Sequence, residues 1–239
     1  MDMARRKGPQ SKQAYIYIKS KILSFELPPG AAVSDHALAQ ELNMSRSPVR
    51  EAIFMLTSDG LIVPTDTGAQ VAPMTLTDIV EICQVRKAVE IAAVNILLDN
   101  GGGTVTQRNK LTDIYKKLQS TTDALQNYQY DDLFHGEIME MANNSRLAEI
   151  SNRMRLQIYR ARWLSFIVPS RMEEAREEHK NIYQALMDND RQASVESLTI
   201  HLDRSENNFK EVLSSPQYNP QFNLAMAHIT NIYKQEHRL

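Results

Sequence analysis

Residues 34–56 read Ser34-Asp35-His36-Ala37-Leu38-Ala39-Gln40-Glu41-Leu42-Asn43-Met44-Ser45-Arg46-Ser47-Pro48-Val49-Arg50-Glu51-Ala52-Ile53-Phe54-Met55-Leu56. Ser34 is placed to cap a helix, and Ala37, Leu38 and Leu42 give that helix one apolar face ending near Asn43. Only Asn43 and Met44 intervene before Ser45, a second cap. Val49, Ile53 and Leu56 then recur at helical spacing up to Asp59-Gly60, where glycine tolerates the left-handed conformation that closes a helix. Pro48 falls in the first turn, where its missing N–H matters little. Two short helices across a tight turn predict a helix-turn-helix.

Upstream, Tyr15, Ile18 and Ile22 share a helical face behind a Ser11 cap, and Leu27-Pro28-Pro29-Gly30 stops that helix. Residues 1–10, with Arg5, Arg6 and Lys7 and no apolar anchor, read as a flexible basic arm. Downstream, Leu61-Ile62-Val63 and Ala69-Gln70-Val71-Ala72 flank the turn Pro64-Thr65-Asp66-Thr67-Gly68, which predicts a β-hairpin ended by Pro73. A helix-turn-helix followed by a hairpin is a winged helix, here residues 11–73. Its second helix would enter the DNA major groove with its N-terminal residues at the base edges. Those residues are Ser45, Arg46, Ser47 and Arg50. Arg46 and Arg50 are four apart and share a face. An arginine fork matches guanine or phosphate, and serine hydroxyls suit phosphate. The hairpin tip, Thr67-Gly68, would approach the minor groove or the backbone. Taken singly, the two arginines also suit a solvated surface beside Glu51. Their place in the second helix of a tight turn, ahead of a hairpin, favours DNA.

From Thr77 the pattern is helical almost throughout. Ile79, Ile82, Val85, Val89 and Val94 sketch a long helix ending at Asn100-Gly101-Gly102-Gly103. Further helices are predicted at about 106–125, 128–141, 146–167, 170–187 and 190–213. A last one is predicted at 222–236, after a loop bracketed by Pro216 and Pro220. The fold class is therefore mainly α: an N-terminal winged helix-turn-helix, then an antiparallel bundle of six to seven helices over 74–215, with a helical extension over 216–239.

The 239 residues are 42% hydrophobic and 23% charged, ordinary for a globular protein and ample for a core. The single cysteine, Cys83, excludes an intrachain disulfide framework and fits a reducing cytoplasm. No apolar run nears the roughly 18–20 residues that span a bilayer, and the polar N-terminus lacks the apolar stretch of a secretory signal. The net charge of −2 gives no global nucleic-acid signature. Residues 1–73 carry 8 basic and 7 acidic side chains, and the remainder carries 19 and 22. Any DNA footprint is thus local and N-terminal.

Leu27-Pro28-Pro29-Gly30, Leu38-Ala39, Met44-Ser45-Arg46-Ser47-Pro48-Val49-Arg50-Glu51-Ala52 and Asp59-Gly60-Leu61-Ile62 together resemble the winged helix of the GntR family of bacterial transcription regulators over about 60 residues. Ser47 stands where threonine is common, and Ile53 where leucine is. His36 lies where some relatives place an arginine or glutamate that touches DNA, so the resemblance adds it to the DNA-facing set. The stretch from Thr77 to Glu90 resembles the first helix of the all-helical (FCD) effector domain of the FadR-type subfamily. The resemblance implies a homodimer on a palindromic operator in double-stranded DNA, responding to a small ligand in the bundle.

Asp131 and His135 are four apart on one predicted helix, with His179 and His201 on the second and third helices after it. One carboxylate and three imidazoles from packed helices suit a divalent metal, although the spacing alone fits helix ion pairs and solvated histidines as well. Metal-binding FadR-type relatives carry Asp-x-x-x-His and two later histidines about 22 apart. Asp131-Asp132-Leu133-Phe134-His135, His179 and His201 fill that pattern, with Asp132 as the alternative in register. Zinc leads, with nickel or manganese next. Four protein ligands leave open positions for a small organic or sugar acid. Arg86 is placed either to clamp its carboxylate or to pair with Glu90, and Arg153, Arg155, Arg160 and Arg162 are further cations whose facing is undetermined. Two other readings remain. One is a regulator with a metal-free acyl-type effector. The other is a metal-dependent hydrolase, disfavoured because no strong nucleophile or H-E-x-x-H motif is present and Glu137, the nearest candidate base, faces elsewhere on its helix.

Overall fold

A computed structural model describes residues 8–162, 168 and 170–214 of the chain. It forms two compact units that divide between Met74 and Thr75. No helix among the described residues is long and apolar enough to cross a membrane.

In the first unit, α1 (Pro9–Leu23) begins two residues before the expected cap. Gly8 takes the cap position and Pro9 the first turn, where proline's fixed φ is already helical. Ser11 lies inside the helix, buried, with its hydroxyl donating to Glu51. The buried stripe is Ala14, Ile18 and Ile22. Tyr15 stands at its edge and donates to Asp59 at 2.7 Å. Burial, then the Asp59 carboxylate, pushes that phenol's pKa above its usual range.

The Ser34 hydroxyl accepts from the Ala37 amide and opens α2 (Asp35–Glu41). Asn43 turns the chain at φ 51° into α3 (Arg46–Ser58), which packs Val49, Ala52 and Leu56 inward. Residues β1 (Ile62–Thr65) and β2 (Gly68–Val71) pair antiparallel, Ile62 opposite Val71 and Thr65 opposite Gly68. The expected five-residue turn is therefore only Asp66-Thr67, because Pro64 and Gly68 sit within the strands. The stretch before α2 also joins this ribbon. Gly30 donates to the Val71 carbonyl, Val71 to Ala31 and Val33 to Ala69 at 2.8–3.0 Å. Proline-rich punctuation around residues 28–30 hides that third edge from a periodicity reading.

In the second unit, Thr75 and Asp78 close a reciprocal capping box at the start of α4 (Leu76–Asp99). Gly101, Gly102 and Gly103 follow, all at positive φ. A Cβ on Gly102 would fall 1.8 Å from Asn189 Oδ1, so the turn requires glycine there. Thr104 and Gln107 form a second capping box at α5 (Val105–Ser120). This helix ends five residues short of expectation because Thr121 is extended and Asp123 restarts the chain as the cap of α6 (Ala124–Met141). The bundle continues as α7 (Ser145–Arg162), α8 (Arg171–Met187) and α9 (Arg191–Ser214). The expected continuation of α7 to residue 167 and the helix at 222–236 lie outside the described residues.

The core gathers Val89, Ala93, Val94 and Leu97 of α4 with Leu111, Leu118, Phe134, Ile138, Ile182, Leu198 and Leu202. The inward face of α4 reads Ile79, Cys83, Arg86, Glu90, Ala93 and Leu97, spaced by threes and fours. Two charged residues in the middle of that stripe mark where the core gives way to a polar centre.

Candidate metal centre and nucleic-acid interface

In the first unit, Ser45 stands at the N-cap of α3 but makes no side-chain capping bond. Ser45, Arg46, Ser47 and Arg50 are all exposed, as are His36, Thr67 and Gly68. The structure thus puts four of these residues at the N-terminal end of α3, His36 in the first turn of α2, and Thr67-Gly68 at the hairpin tip. An N-terminal helix end that carries two arginines and leaves its hydroxyls free attracts anions. The partner of the arginines is not Glu51, whose carboxylate Ser11 occupies. It is Asp35, which accepts from Arg46 Nη2 at 2.9 and 3.0 Å and from Arg50 Nε at 2.6 Å. Arg50 and Arg46 hold the Asp35 carboxyl below its usual pKa.

In the second unit, α6, α8 and α9 bring Asp131, His135, His179 and His201 together. One ligand atom from each lies within 4.8 Å of all the others. Asp131 Oδ1 is 3.0 Å from His179 Nε2 and 3.9 Å from His135 Nε2, and the two Nε2 atoms are 3.3 Å apart. Ligands about 2.0–2.2 Å from one ion stand roughly 3–4.4 Å from each other. The spacing therefore fits a shared divalent ion. Asp131 carries the carboxylate, whereas Asp132 turns to Arg155 and Arg162.

The surroundings set the tautomers. His135 Nδ1 is 2.8 Å from Glu90 Oε2, and His201 Nδ1 is 2.8 Å from Glu178 Oε2. A carboxylate there holds the proton on Nδ1 and leaves Nε2 bare toward the cluster. Burial, above all, lowers both imidazole pKa values, that of His201 to about 3, so both rings are neutral near pH 7. Burial alone would raise the Asp131 carboxyl, but Arg162 and then His179 outweigh it and hold it well below the carboxylate range. Glu90 is likewise held low by Arg86 and His135 against its burial. A charged carboxylate and neutral imidazoles are the protonation states a transition metal requires. Phe134, fully buried, sets its ring edge-on to His135 and His179 and closes an apolar wall.

Arg86 makes the Glu90 pair that its spacing allowed and keeps one terminal nitrogen uncommitted. Its Nε donates to Glu90 at 2.6 Å, and its Nη2 is buried without a hydrogen-bond partner. Two cavities meet this guanidinium. One, of about 60 Å³, is bounded by Asp131, His201, Arg86, Arg162, Arg171 and Asn127, whose Nδ2 is also unpartnered. The other, of about 210 Å³, is bounded by Arg86, Glu90, His135, Lys110, Glu137 and Arg162, among others. Of the α7 cations, Arg162 and Arg160 are buried, whereas Arg153 pairs with Glu149 on the surface and Arg155 with Asp132. Glu137 pairs with Lys110 at 2.5 Å.

Glu178, Asn127 and Asp35 did not stand out in the sequence. Glu178 sits in an acidic run that reads as solvated, yet it is buried and binds Arg171, Arg204 and His201 together. A cue was available: Glu178 stands four residues before Ile182 and seven before Ala185 on α8, in step with that buried face. Asn127 and Asp35 carry no pattern of their own.

A profile of bacterial regulatory proteins of the gntR family matches residues 10–68, and one of the FCD domain matches residues 81–204. An HTH-type transcriptional regulator of Bacillus subtilis, YdhC, is 26% identical over 219 residues, covering 88% of this chain and 96% of that protein. A gluconate operon transcriptional repressor of Bacillus licheniformis is 30% identical over 173 residues, covering 72% and 69%. Among solved structures, McbR/YncC of E. coli aligns with a TM-score of 0.70 at 23% identity, over 89% of this chain and all of that one.

Proposed function

The chain belongs to the GntR family of bacterial regulatory proteins, with an FCD domain as its second part, and from that premise we propose that it is a cytoplasmic, ligand-responsive repressor acting as a homodimer on a two-fold operator. The observation that carries the reading is the convergence of Asp131, His135, His179 and His201 beside a cavity walled by arginines. In the DNA-binding unit, Arg46 and Arg50 read base edges in the major groove, Ser45, Ser47 and His36 hold phosphates or flanking bases, and Thr67-Gly68 touches the neighbouring backbone. Two-fold pairing of the protein matches two half-sites. Repression as the mode of action is carried over from relatives such as the gluconate operon transcriptional repressor of Bacillus licheniformis.

The effector is a small organic or sugar acid. What a divalent ion supplies at the cluster is positive charge with open coordination positions; zinc suits three imidazoles, and nickel or manganese the same set with its carboxylate. Arg86 Nη2 and Asn127 Nδ2, both unpartnered, offer donors to a carboxylate in the smaller cavity. At about 15 Å³ for each water-sized group, that space holds roughly four such groups, enough for the acid's head. The effector acts on DNA binding only by favouring one arrangement of the protein over another.

The test is a thermal-shift panel of organic and sugar acids, gluconate among them, on full-length protein stripped of metal and then reloaded with zinc, nickel or manganese. Stabilisation by one acid class only after reloading supports the reading. Metal-independent stabilisation by acyl compounds would replace it with the metal-free alternative.

A further inference from the structure

We propose that Asp35 is a positioning residue for sequence discrimination: it clamps Arg46 and Arg50 so that they engage base edges in preference to phosphates. The inference rests on the DNA role assigned above to the two arginines. One carboxylate joins both guanidinium groups across the turn between α2 and α3, through Arg46 Nη2 and Arg50 Nε. Arg46 Nη1 and both terminal nitrogens of Arg50 have no hydrogen-bond partner among the described residues. Those free donors are the ones a guanine edge accepts from.

The charge arithmetic gives the clamp its effect. Arg46 and Arg50 are 53% and 65% exposed, whereas Asp35 is only 19% exposed beneath them. Exposed ion pairs of this kind add little to folding, so a structural role does not account for the arrangement. At the tip of α3 the carboxylate cancels one of two positive charges. Sequence-independent attraction to DNA scales with such charge and is reduced accordingly. A phosphate that approaches either arginine also brings its negative charge next to Asp35. The O6 and N7 atoms of guanine are neutral acceptors and suffer no such penalty. The carboxylate therefore acts against the wrong contact more than it favours the right one, which is how specificity is built by repulsion. It also fixes two long side chains in one geometry before DNA arrives, so less freedom is lost on reading a base.

The experiment is selection of duplexes from a randomised pool by the full chain, followed by titration of the winning and a scrambled duplex over a salt series. Wild type, Asp35→Asn, Asp35→Glu and an Arg46→Ala/Arg50→Ala double variant are compared, each checked for folding by circular dichroism and thermal unfolding. Asp35→Asn is expected to bind the scrambled duplex several-fold more tightly, with a steeper salt dependence. The ratio of selected to scrambled affinity is expected to fall by about tenfold, within the range carried by one bidentate base contact. Asp35→Glu is expected to restore part of that ratio. An unchanged ratio and selected sequence in Asp35→Asn would overturn the clamp, as would an equal loss on both duplexes. If the double arginine variant selects the same sequence as wild type, the DNA role of the arginines fails first and the clamp with it. If only that variant loses selection, the arginines stand and the clamp alone fails.

Discussion

His135 Nδ1 lies 2.8 Å from Glu90 Oε2, and both residues are buried. The contact fixes which imidazole nitrogen faces Asp131 and His179. Glu90→Gln keeps the shape but weakens control of the tautomer, so metal affinity is expected to fall about 10–100-fold, the usual cost of losing an outer partner of a ligating histidine. Competition against a fluorescent chelator measures it. Unaltered affinity would make Glu90 a partner of Arg86 alone.

Metal removal is expected to lower the unfolding temperature of the second unit. A ligand at 100 times its dissociation constant adds about 2.7 kcal/mol, which corresponds to roughly 5–10 °C for a unit of this size. His179→Ala and His201→Ala should each abolish the gain on reloading. A gain that persists in both variants would move the metal elsewhere.

The metal-free protein should lose stability as pH falls from 7 to 5. The folded-state pKa values of His135 and His201 are depressed, that of His201 to about 3. Below about 6.5 the unfolded chain therefore takes up protons that the native state refuses, and the equilibrium shifts toward unfolding. The limiting slope is about 1.4 kcal/mol per pH unit for each such imidazole. The depressed carboxyls Asp131 and Glu90 act in the same direction but only below about pH 4.5. Urea titrations of wild type and His201→Gln at pH 7, 6 and 5 check this, and His201→Gln should flatten the profile.

Phe134 is fully buried, its ring centroid 5.2 Å from that of His179 and 5.7 Å from that of His135. Phe134→Ala is expected to cost about 3–5 kcal/mol in denaturant titration, the range for deleting a core aromatic. Phe54, by contrast, is 73% exposed on α3, and Phe54→Ser should stay within about 0.5 kcal/mol.

Both arginines should behave as readers of base edges. Replacing either by alanine should relax the selected sequence at one position and cost about 1–3 kcal/mol. One that holds a phosphate instead weakens all duplexes alike and reduces the salt slope by about 1. Gel-shift titrations of Arg46→Ala and Arg50→Ala over a salt series distinguish the two.

The sequence by itself determined the order of elements and their chemistry. Caps at Ser34 and Ser45, the left-handed Asn43 and Gly60, and the apolar period of α3 are local signals, so the helix-turn-helix was legible residue by residue. Local punctuation also placed the end of α4 before Gly101-Gly102-Gly103, whereas its Thr75–Asp78 capping box starts the helix one residue ahead of the expected Thr77. Where punctuation was weak it misled. The break at Thr121–Asp123 has no glycine or proline, and the pairing of residues 30–33 with β2 joins segments forty positions apart. The tertiary structure alone decided which charges meet. Arg46 and Arg50 could have faced solvent or Glu51, but packing of α2 against α3 hands them to Asp35. Asp131, His135, His179 and His201 span seventy positions, and Glu90, Glu178, Asn127 and Arg162 reach them from four helices. Periodicity says that a residue points inward. It does not say which inward residue of another helix it will meet, because that depends on the crossing and depth of packed helices rather than on any spacing along one of them.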